Sequence, residues 1–420
     1  MIVDLHMTGH RLALLAEGGE LVHANVLEHF VSVTRPYNDK SGGETRACAW
    51  APDNSYFAWS CGHRILHLIP WEGRGQQRHD AGDKQGLNKR KYHIIDCSDV
   101  IWSLAFGSGR DQKDRMSGFG GRFDPSLVIA TGLASGKIRL WNCAEGTLIV
   151  ELLDHRDTVR CLDFSLDGNL QLLSGSRDGT LKLWDVPEDG NMYSTFKPHG
   201  MSFTGCCFAP NARFIAAVGT CRMAYLWKSP RLNSQYIKLD GHHNEVSSCS
   251  FSLDSALLAT GSYDTKIIVW SVHSVTKLRI LGHMHPSPSL IYAGGANDHY
   301  VRSVAFCANS LSLTSVCDDG YARFWNLNRQ PDDPYVVGVA EDALCGRVSP
   351  DGNVLAVGFR DGDVMMFSPC QDVPSLMHLS RQAILKHMSV YDLQKLGLPR
   401  ILQQYLDFCD LREDHSFIIT

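Results

Sequence analysis

Residues 173–186 read L-S-G-S-R-D-G-T-L-K-L-W-D-V, two short apolar runs separated by Arg177, Asp178 and Gly179. Apolar runs on either side of an Asp-Gly pair predict a β-hairpin. The pattern recurs. Trp141, Trp184, Trp227 and Trp270 follow one another at an interval of 43 residues. With insertions, the period extends to Trp71 upstream and to Trp325 and Phe367 downstream. The aromatics close runs such as Ile138-Arg139-Leu140-Trp141, Ile267-Ile268-Val269-Trp270 and Ala322-Arg323-Phe324-Trp325. An Asp stands six residues before the aromatic at Asp178, Asp264, Asp319 and Asp361, whereas Ser135 and Cys221 replace it in two repeats. His155, His199 and His242 lie about 28 residues before their aromatics. Several short strands repeated every 40–45 residues or so predict a β-propeller.

The coincident spacing of His, Asp and Trp resembles that of the WD-repeat family over roughly residues 46–370, with Trp184-Asp185 as the literal Trp-Asp pair. The resemblance implies an all-β, seven-bladed WD-repeat propeller. It also implies a buried tetrad of His155, Ser174 or Ser176, Asp178 and Trp184. A buried carboxylate is costly unless hydrogen-bonded, and His, Ser and the indole N–H supply the donors. These His and Asp residues are therefore expected to be structural, with no catalytic residue among them.

Taken in order, residues 1–25 are weakly patterned and expected to be poorly ordered. Val26 to Thr34 reads as a strand. The seventh repeat gives way to a different pattern soon after Phe367, so the 26–34 strand is expected to supply its outermost strand and close the ring. Closure removes the edges that an open array would expose. The ring then spans 26–370. Two Gly-rich insertions, 72–91 and 107–125, interrupt blades one and two, and neither carries a phosphate-binding pattern. A third, Met284 to Asn297, is apolar and Pro-containing. By its position it is expected to open on the face that WD-repeat propellers use for partners, as either a partner contact or a packed lid.

Composition narrows the class. The chain has 420 residues and a formal net charge of −5, which recommends neither nucleic acid nor a membrane surface as a partner. No apolar run approaches the length needed to span a bilayer, and Leu12 to Ala16 is too short for a secretory signal. The fourteen cysteines are scattered singly apart from Cys206-Cys207. Several fall in apolar strands, where a reduced thiol is a small core residue. A reducing compartment, cytoplasmic or nuclear, is the expectation. No metal-ligand spacing or cofactor motif is present.

From Pro374 the period becomes helical. Leu376, Leu379, Ala383 and Ile384 share one face, Ser375 is a suitable N-cap, and Pro399 is placed to start a second helical turn containing Ile401, Leu402, Tyr405 and Leu406. So short a pair cannot build its own core. It either lies back on the propeller or offers a stripe of anchors to a partner's groove.

The order S-L-M-H-L-S-R-Q-A-I, then L-G-L-P and I-L-Q-Q-Y-L, resembles a SOCS box at 374–409, followed by a tail at 410–420. A propeller joined to it resembles the WD-repeat and SOCS-box-containing proteins. S-Y-F-A-W-S from Ser55, H-I-I-D-C from His93, W-S-L-A-F-G from Trp102 and A-G-G-A-N-D from Ala293 strengthen that likeness. The resemblance implies docking on elongin B/C through Leu376, Leu379, Ser380 and Ile384. It further implies contact with a cullin-5-type scaffold and its RING subunit through Leu396, Leu398 and Pro399. Ser380 stands where the elongin-binding pattern has Cys, and Gly397 where the cullin segment has its first Pro.

The expected function is thus a substrate-recognition adaptor of a ubiquitin ligase, with the chemistry belonging to other subunits. The alternative is a WD-repeat scaffold that recruits no ligase. For an unknown substrate protein, the candidate contacts lie beside the hairpin turns and at the starts of inner strands: Arg160, Arg177, Tyr263, Tyr300, Arg302, Asp318 and Arg360. Arg and Tyr are frequent interface anchors. A cluster of Arg would favour an acidic or phosphorylated segment.

Overall fold

In the computed structural model, each repeat forms an antiparallel sheet whose strands neighbour one another in chain order. Seven such sheets make the blades: 48–96, 101–152, 159–196, 203–240, 246–282, 301–339 and 343–368. The structure describes residues 22–30, 43–71, 91–109, 127–187, 190–198, 200–228, 235–283, 300–328, 333–368, 376–387, 398–406, 408 and 411. All three insertions fall largely or wholly outside them.

Burial falls outward within a blade. The second strands, such as Gln171–Ser176, Leu257–Ser262 and Ser312–Cys317, bury every residue. They are covered on both faces because each face meets a neighbouring blade. An outer strand such as Tyr236–Asp240 keeps one buried residue, Leu239. Five of the hairpin turns share one conformation. Gly136, Gly179, Gly320 and Gly362 all have positive φ, and Thr265 takes the same turn position at φ 69. Glycine adopts this geometry without strain, whereas a β-branched residue does not.

The ring is closed by the N-terminal segment. Asn25–Phe30 pairs antiparallel with Val364–Ser368, the third strand of blade seven, with Val26 opposite Phe367. Immediately before it, Val22–His23 pairs parallel with the outer strand of blade six. The segment therefore stitches two blades, and the Ala24 amide bonds to the Val337 carbonyl at 3.0 Å. Here the expectation of a poorly ordered 1–25 needs correction at its last residues, whose backbone hydrogen bonds are satisfied by the neighbouring sheet edges. Residues 31–34 of the expected strand lie outside the described residues.

Blade one also departs from its expected boundary. Ile69, opposite Phe57, occupies the sheet position that Trp184 holds opposite Leu172, whereas Trp71 lies beyond the strand. Trp71 instead packs edge-on against Trp50, with ring centroids 4.9 Å apart. Trp59 stands where blade three has Ser174 and stacks on His67 at 4.7 Å. An aromatic cluster takes the place of the tetrad.

Beyond the ring, helices α1 (Leu376–His387) and α2 (Arg400–Leu406) dock against blades five and six. Leu385, Leu406, Phe408 and Leu411 share a core with Leu257, Leu313, Trp325 and Leu327.

Candidate functional site

The histidines and aspartates that look chemical in the sequence form hydrogen-bond relays inside the blades. In blade three, Trp184 Nε1–H donates to Ser174 Oγ at 2.8 Å, and Ser174 Oγ meets His155 Nε2 at 2.7 Å. His155 Nδ1 then reaches Asp178 Oδ2 at 3.1 Å. The indole is only a donor, so the relay runs from Trp to Asp. Burial alone would raise the Asp178 pKa, but hydrogen bonds from His155, Thr180 and the Arg156 amide hold it well below the usual carboxylate range. Blade five repeats the relay with Trp270, Thr260, His242 and Asp264 at 2.9, 2.8 and 2.9 Å.

Blade six builds a variant that spacing alone did not expose. His283 Nε2 meets Ser315 Oγ at 2.9 Å, and Trp325 Nε1 donates to the same oxygen at 2.9 Å. The expected Asp319 instead pairs with buried Arg323 at 2.6 Å, while His283 Nδ1 bonds to the Thr265 carbonyl. Blade four has lost the device. Ala217 occupies the serine position, and buried Trp227 Nε1 has no partner among the described residues. Blade seven places buried Phe367 at the aromatic position. Among the described residues, no group of three or more His, Cys, Asp or Glu could hold a metal ion.

A different set of residues faces the centre of the ring. Each inner strand starts on the face that also carries the hairpin turns between second and third strands. Arg46, Trp102, Arg160, Thr204, Ser247 and Arg302 occupy equivalent positions at those starts and line one polar cavity of about 170 Å³. The Arg46 and Arg160 guanidinium carbons lie 4.3 and 5.3 Å from the Trp102 ring centroid. Arg302 makes a two-pronged bond with Asp318, both contacts 2.6 Å, and reaches the Tyr263 hydroxyl at 3.3 Å. Tyr300 completes this group, its ring centroid 4.7 Å from that of Tyr263.

Of the candidate substrate contacts, the structure thus joins Tyr263, Tyr300, Arg302 and Asp318 in one cluster and puts Arg160 at the same cavity. Arg177 and Arg360 are exposed on hairpin turns, Arg177 standing 3.9 Å from Asp157. The candidate set omitted Arg46 and Trp102. Their strand position matches that of Arg160 and Arg302, which is the signal that would have found them.

The second candidate surface is α1, whose two faces have opposite roles. His378, Arg381 and Leu385 are buried. His378 Nε2–H donates to the Asn309 carbonyl at 2.7 Å, and the Arg381 guanidinium lies 3.6 Å from the Tyr405 ring centroid and 4.2 Å from that of Phe408. Their charge also acts on Asp254 in a turn of blade five. Burial pushes the Asp254 pKa up, while Ser252, the Ala256 amide, His378 and Arg381 work against it. The other face points to solvent: Met377 is 54% exposed, Leu379 44% and Ile384 40%. Ser380 is exposed as well.

Leu376 lies in α1, and only its backbone is described. Leu398 is half-buried against the blade five and six core, Pro399 is exposed, and Leu396 lies outside the described residues. Of the two alternatives for the helix pair, packing back on the propeller holds for the face of α1 that carries His378, Arg381 and Leu385. The other face remains open.

Comparison with known proteins agrees with this architecture. The model of the WD domain, G-beta repeat, matches residues 146–185, 233–271 and 290–326, and that of the SOCS box matches 372–407. The three WD matches end one residue beyond Trp184, Trp270 and Trp325, in the blades that keep a His–Ser/Thr–Trp relay. A WD-repeat propeller carrying a SOCS box defines the class of substrate adaptors of the SOCS-box ubiquitin-ligase type. The human WD repeat and SOCS box-containing protein 1 is 39% identical, the match covering 93% of this chain and 97% of that protein. The mouse and zebrafish (Danio rerio) proteins of that name are 38% and 39% identical with the same coverage. The chain belongs to the family of WD repeat and SOCS box-containing proteins.

Proposed function

We propose that the chain receives a target protein on the propeller face that carries the hairpin turns. Its terminal helices then join that target to elongin B/C and a cullin-5-type scaffold with its RING subunit. The adaptor supplies no reacting group. Holding the target beside the ligase raises the effective concentration of its lysines.

The observation that carries this reading is the division of α1. His378, Arg381 and Leu385 anchor it, while Leu379 and Ile384 remain exposed. Apolar side chains repeated at helical spacing on an otherwise anchored helix suit a partner's groove. A scaffold whose tail served only its own ring would have its leucine and isoleucine inward.

Leu379→Asp and Ile384→Asp test the reading, with purified elongin B/C as the probe. Each should weaken binding at least tenfold with the thermal midpoint of the propeller unchanged. Undiminished binding by both variants would refute this use of α1. Recovery of the cullin without elongin would refute the proposed order of assembly.

A further inference from the structure

We propose that the cavity mouth at the centre of the hairpin-turn face receives an unmodified acidic side chain, Asp or Glu, from an extended segment of the target. This rests on the adaptor reading and specifies what its propeller recognises.

Charge is the first argument. Four arginines line the cavity: Arg46, Arg160 and Arg302 at the strand starts around its mouth, and Arg347 near the far end of the blade-seven inner strand. Two of the three at the mouth have carboxylates of their own. Arg46 meets Glu44 at 2.5 Å, and Arg302 holds Asp318 in a two-pronged bond. Among the described residues Arg160 has no carboxylate partner, and its Nε is shielded from solvent without a hydrogen-bond partner. Among the strand-start residues at the mouth, the surplus is one positive charge, at Arg160. A carboxylate matches it, whereas a doubly charged phosphate would leave excess negative charge beside Glu44 and Asp318.

Size is the second. A cavity of about 170 Å³ is below the range of roughly 300–1,000 Å³ typical of small-molecule pockets, yet admits one side chain. Shape is the third. Trp102 lies between Arg46 and Arg160 in blade order and fixes both forks by cation–π contact, so less rotamer freedom is lost on binding. The Tyr263–Tyr300 pair beside Arg302 then offers an aromatic wall to an apolar neighbour of the acidic residue.

The test uses the full chain, with no partner added, as bait against a display library of random twelve-residue peptides. Selected peptides should share an Asp or Glu next to an apolar residue. A selected peptide should bind at least tenfold more weakly when its acid becomes the amide, and when the adaptor carries Arg160→Gln. Arg213→Gln, on the opposite face, should have no such effect. Arg160→Glu should reverse the preference, so that the same peptide with Lys for the acid binds better than the parent.

Selected peptides without a shared acid, indifference to Arg160→Gln, or tighter binding of a phosphoserine version would each overturn the proposal. Elongin capture is read separately with the same preparations. Its loss in the wild-type chain would defeat the adaptor reading and leave the peptide result standing.

Discussion

Arg381→Ala should release the terminal helices from the propeller while leaving the ring folded. The side chain is 2% exposed, and its guanidinium lies over two aromatic rings, Tyr405 and Phe408. Each desolvated cation–π contact is worth about 1–2 kcal/mol, so the pair contributes about 2–4 kcal/mol. The apolar stem adds packing that alanine cannot replace. A loss near 3 kcal/mol raises the local opening equilibrium by about two orders of magnitude.

Native-state hydrogen exchange reads this directly, because α1 and α2 amides should exchange about 100-fold faster while the second strands of the blades keep their protection. Arg381→Lys retains charge but not the flat guanidinium, and should fall between the two. If the helical amides of Arg381→Ala exchange within threefold of wild type, the reading of Arg381 as an anchor is wrong. If the blades lose protection together with the helices, the separation of ring from tail is wrong.

Ser174→Ala removes the oxygen shared by Trp184 and His155, and should cost about 2–4 kcal/mol in urea unfolding. The converse change in blade four, Ala217→Ser, gives the Trp227 indole an acceptor and should gain about 0.5–1.5 kcal/mol; a loss above 1 kcal/mol would contradict it. Thr265→Gly relieves positive φ at a β-branched residue and should stabilise by about 0.5–1 kcal/mol, read as a raised thermal midpoint. Asp178 and Asp264 have folded pKa values below the unfolded value of about 3.9. Their stabilisation is complete above that value and is lost as pH falls through the folded range. Acid unfolding of Asp178→Asn/Asp264→Asn should therefore show a shallower pH dependence than wild type below about pH 4.

The ring was legible because its regularity is chemical as well as hydrophobic. Trp141, Trp184, Trp227 and Trp270 keep their spacing where no insertion intervenes, and the Asp-Gly pairs mark positive-φ turns. His283 escaped notice because the insertion at 284–297 separates it from the Trp325 it serves, which hides the usual offset. Trp71 misled for the opposite reason. Its type suited the repeat, but the pairing of Phe57 with Ile69 set the register. On α1 the apolar pattern identified a real face but not its direction. Leu379 and Ile384 point outward, whereas His378 and Arg381, polar by type, are buried because a carbonyl and two aromatic rings receive them. No hydrophobic scale anticipates that inversion.

The placement of α1 against the turns at Asp254 and Asn309 also sets a reach condition. Those turns join first and second strands, so they lie at the far end of the blades from Tyr263 and Asp318. A six-residue strand is about 20 Å long, and the turns at both ends add to that depth. On the proposed reading, a target gripped at the cavity mouth must send its acceptor lysine past the rim to meet machinery assembled on α1. A flexible chain spans about 5–6 Å times the square root of its residue number, so covering 30 Å takes on the order of 30 residues. Suitable targets would then carry the gripped motif and the modified lysine in separate stretches, joined by slack chain or by a folded body wide enough to overhang the ring.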